Sequence, residues 1–143
     1  MKRVVIDTNV LVSSAISSGG NPERIMNGVS DKQLQLCYSR EIIDEYKRVL
    51  AYERLKISVE TQAKIVKAIE KTGLLVEPAT SDFPMTDETD RIFYDTAKTS
   101  GATLVTGNVR HFPDESFIMT PSDFVKEHCT PYQADAVSNG ISS

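Results

Sequence analysis

Short apolar runs alternate along the chain with longer segments in which apolar residues recur every three or four positions. Val4, Val5 and Ile6 form one such run before Asp7, and continuous β-branched residues suit a strand covered on both faces. Further strands are predicted around residues 34–38 (LQLCYS), 74–78 (LLVEP), 103–107 (TLVTG) and 116–120 (SFIMT). SREIIDEYKRVL opens on Ser39, a good N-cap, and places Ile42, Ile43, Tyr46, Val49 and Leu50 on one helical face. SVETQAKIVKAIEKTG opens on Ser58, carries Ala63, Val66 and Ile69, and stops at Gly73. TDETDRIFYDTAKTSG has acids in its first turn, an apolar face through Phe93 and Ala97, and Gly101 at its end. Strands alternating with helices predict an α/β fold of three layers, α/β/α, with a mostly parallel central sheet.

Composition narrows this frame. A chain of 143 residues has room for one ordinary core. One domain is expected over residues 1–128, with a flexible tail over 129–143, where apolar periodicity gives way to Ser, Asn and Gly. The net charge of -4 argues against a protein that coats nucleic acid by bulk electrostatics. It leaves a nuclease open, because a divalent cation held by acids inverts the local potential. No apolar run reaches bilayer length, and the first is broken at Asp7, too early for a signal peptide; a cytoplasmic protein without a membrane role is expected. Cys37 and Cys129 lack metal-like spacing, and no disulfide is expected between them.

Ligands of open α/β sheets collect outside the carboxyl ends of the strands. Asp7 stands at such an end, and so does Asn108, after TLVT and Gly107; if their strands are neighbours, the two side chains converge. On a wheel of about 100° per residue, Glu45 falls on the flank of its helix's apolar face while Asp44 points outward. Asp90 shares a face with Phe93, Tyr94 and Ala97 and points toward the sheet. Each acid also has a plain structural role open to it. Asp7 suits an Asx turn or N-cap, Glu45 an ion pair with Lys47 or Arg48, and Asp87, Glu88 and Asp90 a helix dipole. Their conjunction favours a shared site, since gathered carboxylates need a hard cation to offset their repulsion.

The order of these segments resembles the PIN-domain nucleases, in particular bacterial PIN proteins described as toxins of toxin–antitoxin pairs. VVIDTNVLVSS is similar to the first family motif, SREIIDEYKRVL to the second, and DETDRIFYDTAKTSGATLVTGNVRHFP to the third and fourth, so that residues 3–125 are covered. The resemblance implies that Asp7, Glu45 and Asp90 are catalytic metal ligands. Asn108 takes the place where many relatives have a fourth Asp, and Asp87 matches an acid often found beside the third motif. Thr8, Asn9 and Thr106 would orient the carboxylates. An amide at 108 adds no charge, and Asp87 or Asp114 would have to compensate for a second metal.

The implied activity is that of an endoribonuclease using Mg²⁺ or Mn²⁺ to hydrolyse RNA phosphodiesters, leaving a 5'-phosphate and a 3'-hydroxyl, with a small antitoxin as partner and a homodimer left open. Arg91, Arg110 and His111, beside the acids in sequence, are candidates for the RNA backbone. Two other acid-based families fit poorly. A haloacid-dehalogenase-type phosphotransferase needs an acid where Asn9 stands, and a receiver domain needs paired acids after the first strand. The non-enzyme alternative is a PIN-like RNA-binding or protein-interaction module with a weakened site, which Asn108 keeps in view.

Overall fold

The computed structural model describes residues 1–128. The expected tail and Cys129 lie outside them. Five strands, β1 (Lys2–Ile6), β2 (Leu34–Tyr38), β3 (Leu74–Leu75), β4 (Thr103–Val105) and β5 (Ile118–Met119), form an all-parallel sheet in the order β3-β2-β1-β4-β5. Six α-helices flank it: α1 (Thr8–Ile16), α2 (Asn21–Ser30), α3 (Arg40–Leu50), α4 (Val59–Thr72), α5 (Arg91–Ser100) and α6 (Pro121–His128). The layers are those of the expected α/β/α fold. No helix among the described residues is long and apolar enough to cross a membrane.

The central strands are buried because they carry apolar residues on both faces: Val4, Val5, Ile6, Leu104 and Val105 are all fully buried. The sheet thins toward its edges. β3 and β5 are two residues long where five-residue strands were expected; Leu74 and Leu75 are exposed, so little burial rewards further pairing there. Helices α3 and α4 begin with the expected Ser39 and Ser58 caps, whose side chains accept from Ile42 N and Thr61 N. On α4 the buried face centres on Ile69, with Ala63 exposed.

Two helices escape the periodicity argument. α2 buries only Ile25 and Val29, and α6 only Phe124 and Val125, too few positions to define a stripe. At the predicted 86–101 helix, the chain first makes a 3-10 turn over Glu88–Asp90, so the α-helix starts at Arg91. It ends at Gly101, whose φ of 70° is left-handed and turns the chain into β4.

The strand order matters for function. From β1 the chain goes first to β2 on one side, and later supplies β4 on the other. The carboxyl ends of β1 and β4 therefore flank the topological switch point, where open α/β sheets leave a crevice for ligands. Ile6 pairs with Val105, which sets Asp7 beside Thr106.

Candidate active site

Asp7 follows β1 and stands at the N-cap position of α1, but its side chain makes no capping bond. Instead, the buried Thr106 Oγ1 donates to Asp7 Oδ2 at 2.6 Å, and Asp7 N donates to Val105 O at 3.0 Å. The residue is only 5% exposed. Burial raises its carboxyl above the usual range; the Thr106 bond pulls the other way, and the charge of Glu45 raises it further. The backbone N–H groups of Thr8 and Asn9 also favour the charged form.

Glu45 is half-buried on α3 and Asp44 exposed, as the helical wheel places them. Thr8 Oγ1 donates to Glu45 Oε2 at 2.7 Å, and Arg48 Nη2 meets Glu45 Oε1 at 3.2 Å. The ion pair expected of a plain surface Glu is thus present, yet Thr8, the residue after Asp7, holds the other oxygen of the same carboxylate. Next to it, the fully buried Tyr46 donates its hydroxyl to the Ile6 carbonyl and pins α3 to the end of β1.

Asp90 lies just before α5, its side chain 16% exposed. Its Oδ2 is buried without a hydrogen-bond partner, and His111 Nδ1 is 3.7 Å away, too far for one. Burial first, then the charges of Asp7 and Asp87, raise its pKa from 3.8 to about 6, with His111 opposing and Glu45 adding to the rise. Three acids from three elements thus share one electrostatic field around an unsatisfied oxygen.

The remaining candidates divide. Asp87 is exposed and caps its own turn through Thr89 N and Oγ1, and these bonds hold its carboxyl below the ordinary value; its charge still reaches Asp90. Asn108 is exposed and joins the site through its backbone N–H, which donates to Thr106 Oγ1 at 3.0 Å. β1 and β4 are neighbours, the condition for Asp7 and Asn108 to converge, but the side chain that meets Asp7 is Thr106. Asn9, Arg110 and Asp114 are exposed. Arg91 is drawn inward: its guanidinium donates to Ser81, Phe83 and Glu88 and lies over the Phe83 ring.

Thr106→Val removes the hydroxyl that joins Asp7 to the Asn108 N–H while keeping the side-chain shape. The expected cost is about 1–3 kcal/mol for stranding a buried carboxylate oxygen, read as a lower urea midpoint. An unchanged midpoint would show that this bond does not hold Asp7.

Asp90 yields a pH prediction. A carboxyl raised from 3.8 to about 6 favours the fold fully below 3.8, and that contribution is lost as pH rises through about 6. Asp90→Asn stays neutral throughout. In EDTA its melting temperature should exceed that of the wild type above pH 6, and the advantage should vanish near pH 4. A constant difference across this range would contradict the assignment.

The description "PIN domain" matches residues 3–110 of this chain. The chain belongs to the PIN-domain family. Members of this family are generally nucleases, hydrolases that typically use divalent metals, and the acids above sit where an open α/β sheet binds its ligands. This PIN domain is also similar to "Uncharacterized protein MJ1680" of Methanocaldococcus jannaschii, 28% identical over 109 residues, covering 74% of this chain and 70% of that one.

Whether these residues suit a divalent metal can be tested on their chemistry. Asp7, Glu45 and Asp90 offer hard oxygen donors, the type Mg²⁺ and Mn²⁺ prefer, and Asp90 Oδ2 is an orphaned buried acceptor. Among the described residues, no three His, Cys, Asp or Glu side chains already form a ligand cluster. The donor set fits; the Asp90 carboxyl is raised first by burial and then by the charges of Asp7 and Asp87, the second of which a bound cation would offset.

Proposed function

We propose that this PIN domain is a metal-dependent endoribonuclease whose site comprises Asp7, Glu45 and Asp90, with Asn108 and Asp87 at its rim. The observation that carries the reading is the buried Asp90 oxygen, without a hydrogen-bond partner and 3.7 Å from His111, in the field of Asp7, Asp87 and Glu45 at the switch point of the sheet. Mg²⁺ or Mn²⁺ held by these acids would lower the pKa of water and offset the charge of the phosphodiester.

The chain's own residues supply order around that chemistry. Thr106 fixes the Asp7 carboxylate, and Thr8 aims Glu45. Tyr46 keeps α3 seated on β1, so that the acids of different elements hold a common geometry. The exposed His111 lies beside Asp90, and the exposed Arg110 precedes it in the chain; the RNA strand would run past them. A role as the toxin of a toxin–antitoxin pair, with a small protein antitoxin, extends the family resemblance; growth arrest on induction, relieved by a neighbouring small gene, tests it. Cytoplasmic RNA is the substrate pool in this reading.

End-labelled single-stranded RNA incubated with Mn²⁺ should be cut to fragments bearing 5'-phosphates and 3'-hydroxyls, and EDTA should stop the reaction. Cleavage that persists in EDTA, or products with 2',3'-cyclic phosphates, would overturn the assignment.

A further inference from the structure

The C-terminal end of α3 and the turn after it carry a local charge opposite to that of the chain. Residues 47–56 contain Lys47, Arg48, Arg54 and Lys56 against one acid, Glu53, in a protein whose net charge is -4; Lys47 pairs with Glu70 and Arg48 with Glu45, which leaves Arg54 and Lys56 in no ion pair among the described residues. Arg48 links this segment to the site, with Nη2 on Glu45 Oε1 at 3.2 Å and Nη1 on the Tyr52 hydroxyl at 2.5 Å. The Arg48 and Arg54 guanidinium carbons lie 6.0 and 5.0 Å from the Tyr52 ring centroid, so one aromatic ring braces both cations. The 3-10 turn Glu53–Leu55 is anchored because Leu55 and Ile57 pack against the core.

Donor accounting separates these arginines from Arg91, whose guanidinium is engaged with Ser81, Phe83 and Glu88. A guanidinium has five N–H donors. Arg48 gives one to Glu45 and one to Tyr52, and Arg54 is exposed with no protein acceptor among the described residues. Two forked cations against one ring, with donors to spare and Arg48 hydrogen-bonded to a site acid, suit successive phosphates of a polynucleotide.

We propose that Arg48 and Arg54, braced by Tyr52, hold the phosphate backbone of single-stranded RNA beside the bond to be cut. The inference rests on the nuclease reading and gives that site a substrate track running from Glu45 along α3 to the turn at Arg54. In an acidic protein this segment is where a polyanion gains from approach. Tyr52 acts as a positioning residue, keeping the two guanidiniums spread along the track.

The test is binding of a fluorescently labelled single-stranded oligoribonucleotide in EDTA, followed by anisotropy across a salt series. For single strands, each lost phosphate contact makes the slope of log K against log salt shallower by about 0.7. Arg54→Ala should bind more weakly with that shallower slope, Arg54→Lys should recover most of the slope, and Lys71→Ala, an exposed base on α4, should match the wild type. A wild-type slope in Arg54→Ala, or an equal loss in Lys71→Ala, would overturn the proposal. Hydrolysis of bis(4-nitrophenyl) phosphate with Mn²⁺ keeps the two readings apart, because this small diester has no chain to reach Arg54. The wild type should turn it over, whatever the salt slopes show. No turnover of any diester by the wild type would count against the nuclease reading, while the salt slopes would still decide the track.

Discussion

Asp7→Asn is expected to lower metal-dependent RNA cleavage by at least about 100-fold, the upper end of what losing an outer-shell partner of a metal costs. The substitution keeps the shape of the side chain and a carbonyl oxygen to accept from Thr106, now 2.6 Å from Asp7 Oδ2. It removes the charge that burial and Glu45 disfavour. In metal-free buffer the variant should therefore melt at the same temperature as the wild type or higher. Loss of activity with retained or improved stability is the signature of a functional carboxylate. Cleavage rates and thermal melts of the two proteins, measured side by side, check both halves. A variant that melts well below the wild type would make Asp7 a structural residue.

Phe93→Ala should have the largest effect on stability. Phe93 is 1% exposed on α5, its ring 6.4 Å from that of Tyr46 on α3. It joins the helix behind Asp90 to the helix carrying Glu45, and Tyr46 in turn reaches the end of β1. Truncating a buried Phe costs about 3–5 kcal/mol, a fall in melting temperature of roughly 10–20 °C for a domain of this size. Thermal and urea unfolding would show it. A shift of only a few degrees would mean that this aromatic contact does not tie the site's helices together.

The parts of the site that lie on one element were readable in the sequence. A single helical wheel separates the half-buried Glu45 from the exposed Asp44, and the apolar pattern after Asp90 foretells the buried Phe93, Tyr94 and Ala97. The parts that depend on packing between elements were not. That Thr8 reaches the second oxygen of Glu45, beside the helix's own Arg48–Glu45 pair, follows from how α3 lies against α1. The inward course of Arg91 depends on the loop at residues 81–83 folding back over α5. Asn108 shows the same limit: its position after β4 was legible, and the resemblance implied that Thr106 orients a carboxylate, whereas the turn that exposes the Asn108 side chain was not. Short edge strands and the sparsely buried α2 and α6 escape for a simpler reason, having too few buried positions to leave a period.

The central claim is that Asp7, Glu45 and Asp90 together hold the divalent ion on which cleavage depends, and calorimetric titration of Mn²⁺ into the protein tests it most directly. The wild type at pH 7 should show saturable binding that weakens as the buffer falls through about pH 6, where Asp90 takes up its proton, and Asp7→Asn should show none. No saturable binding by the wild type, or the same affinity in Asp7→Asn, would contradict it.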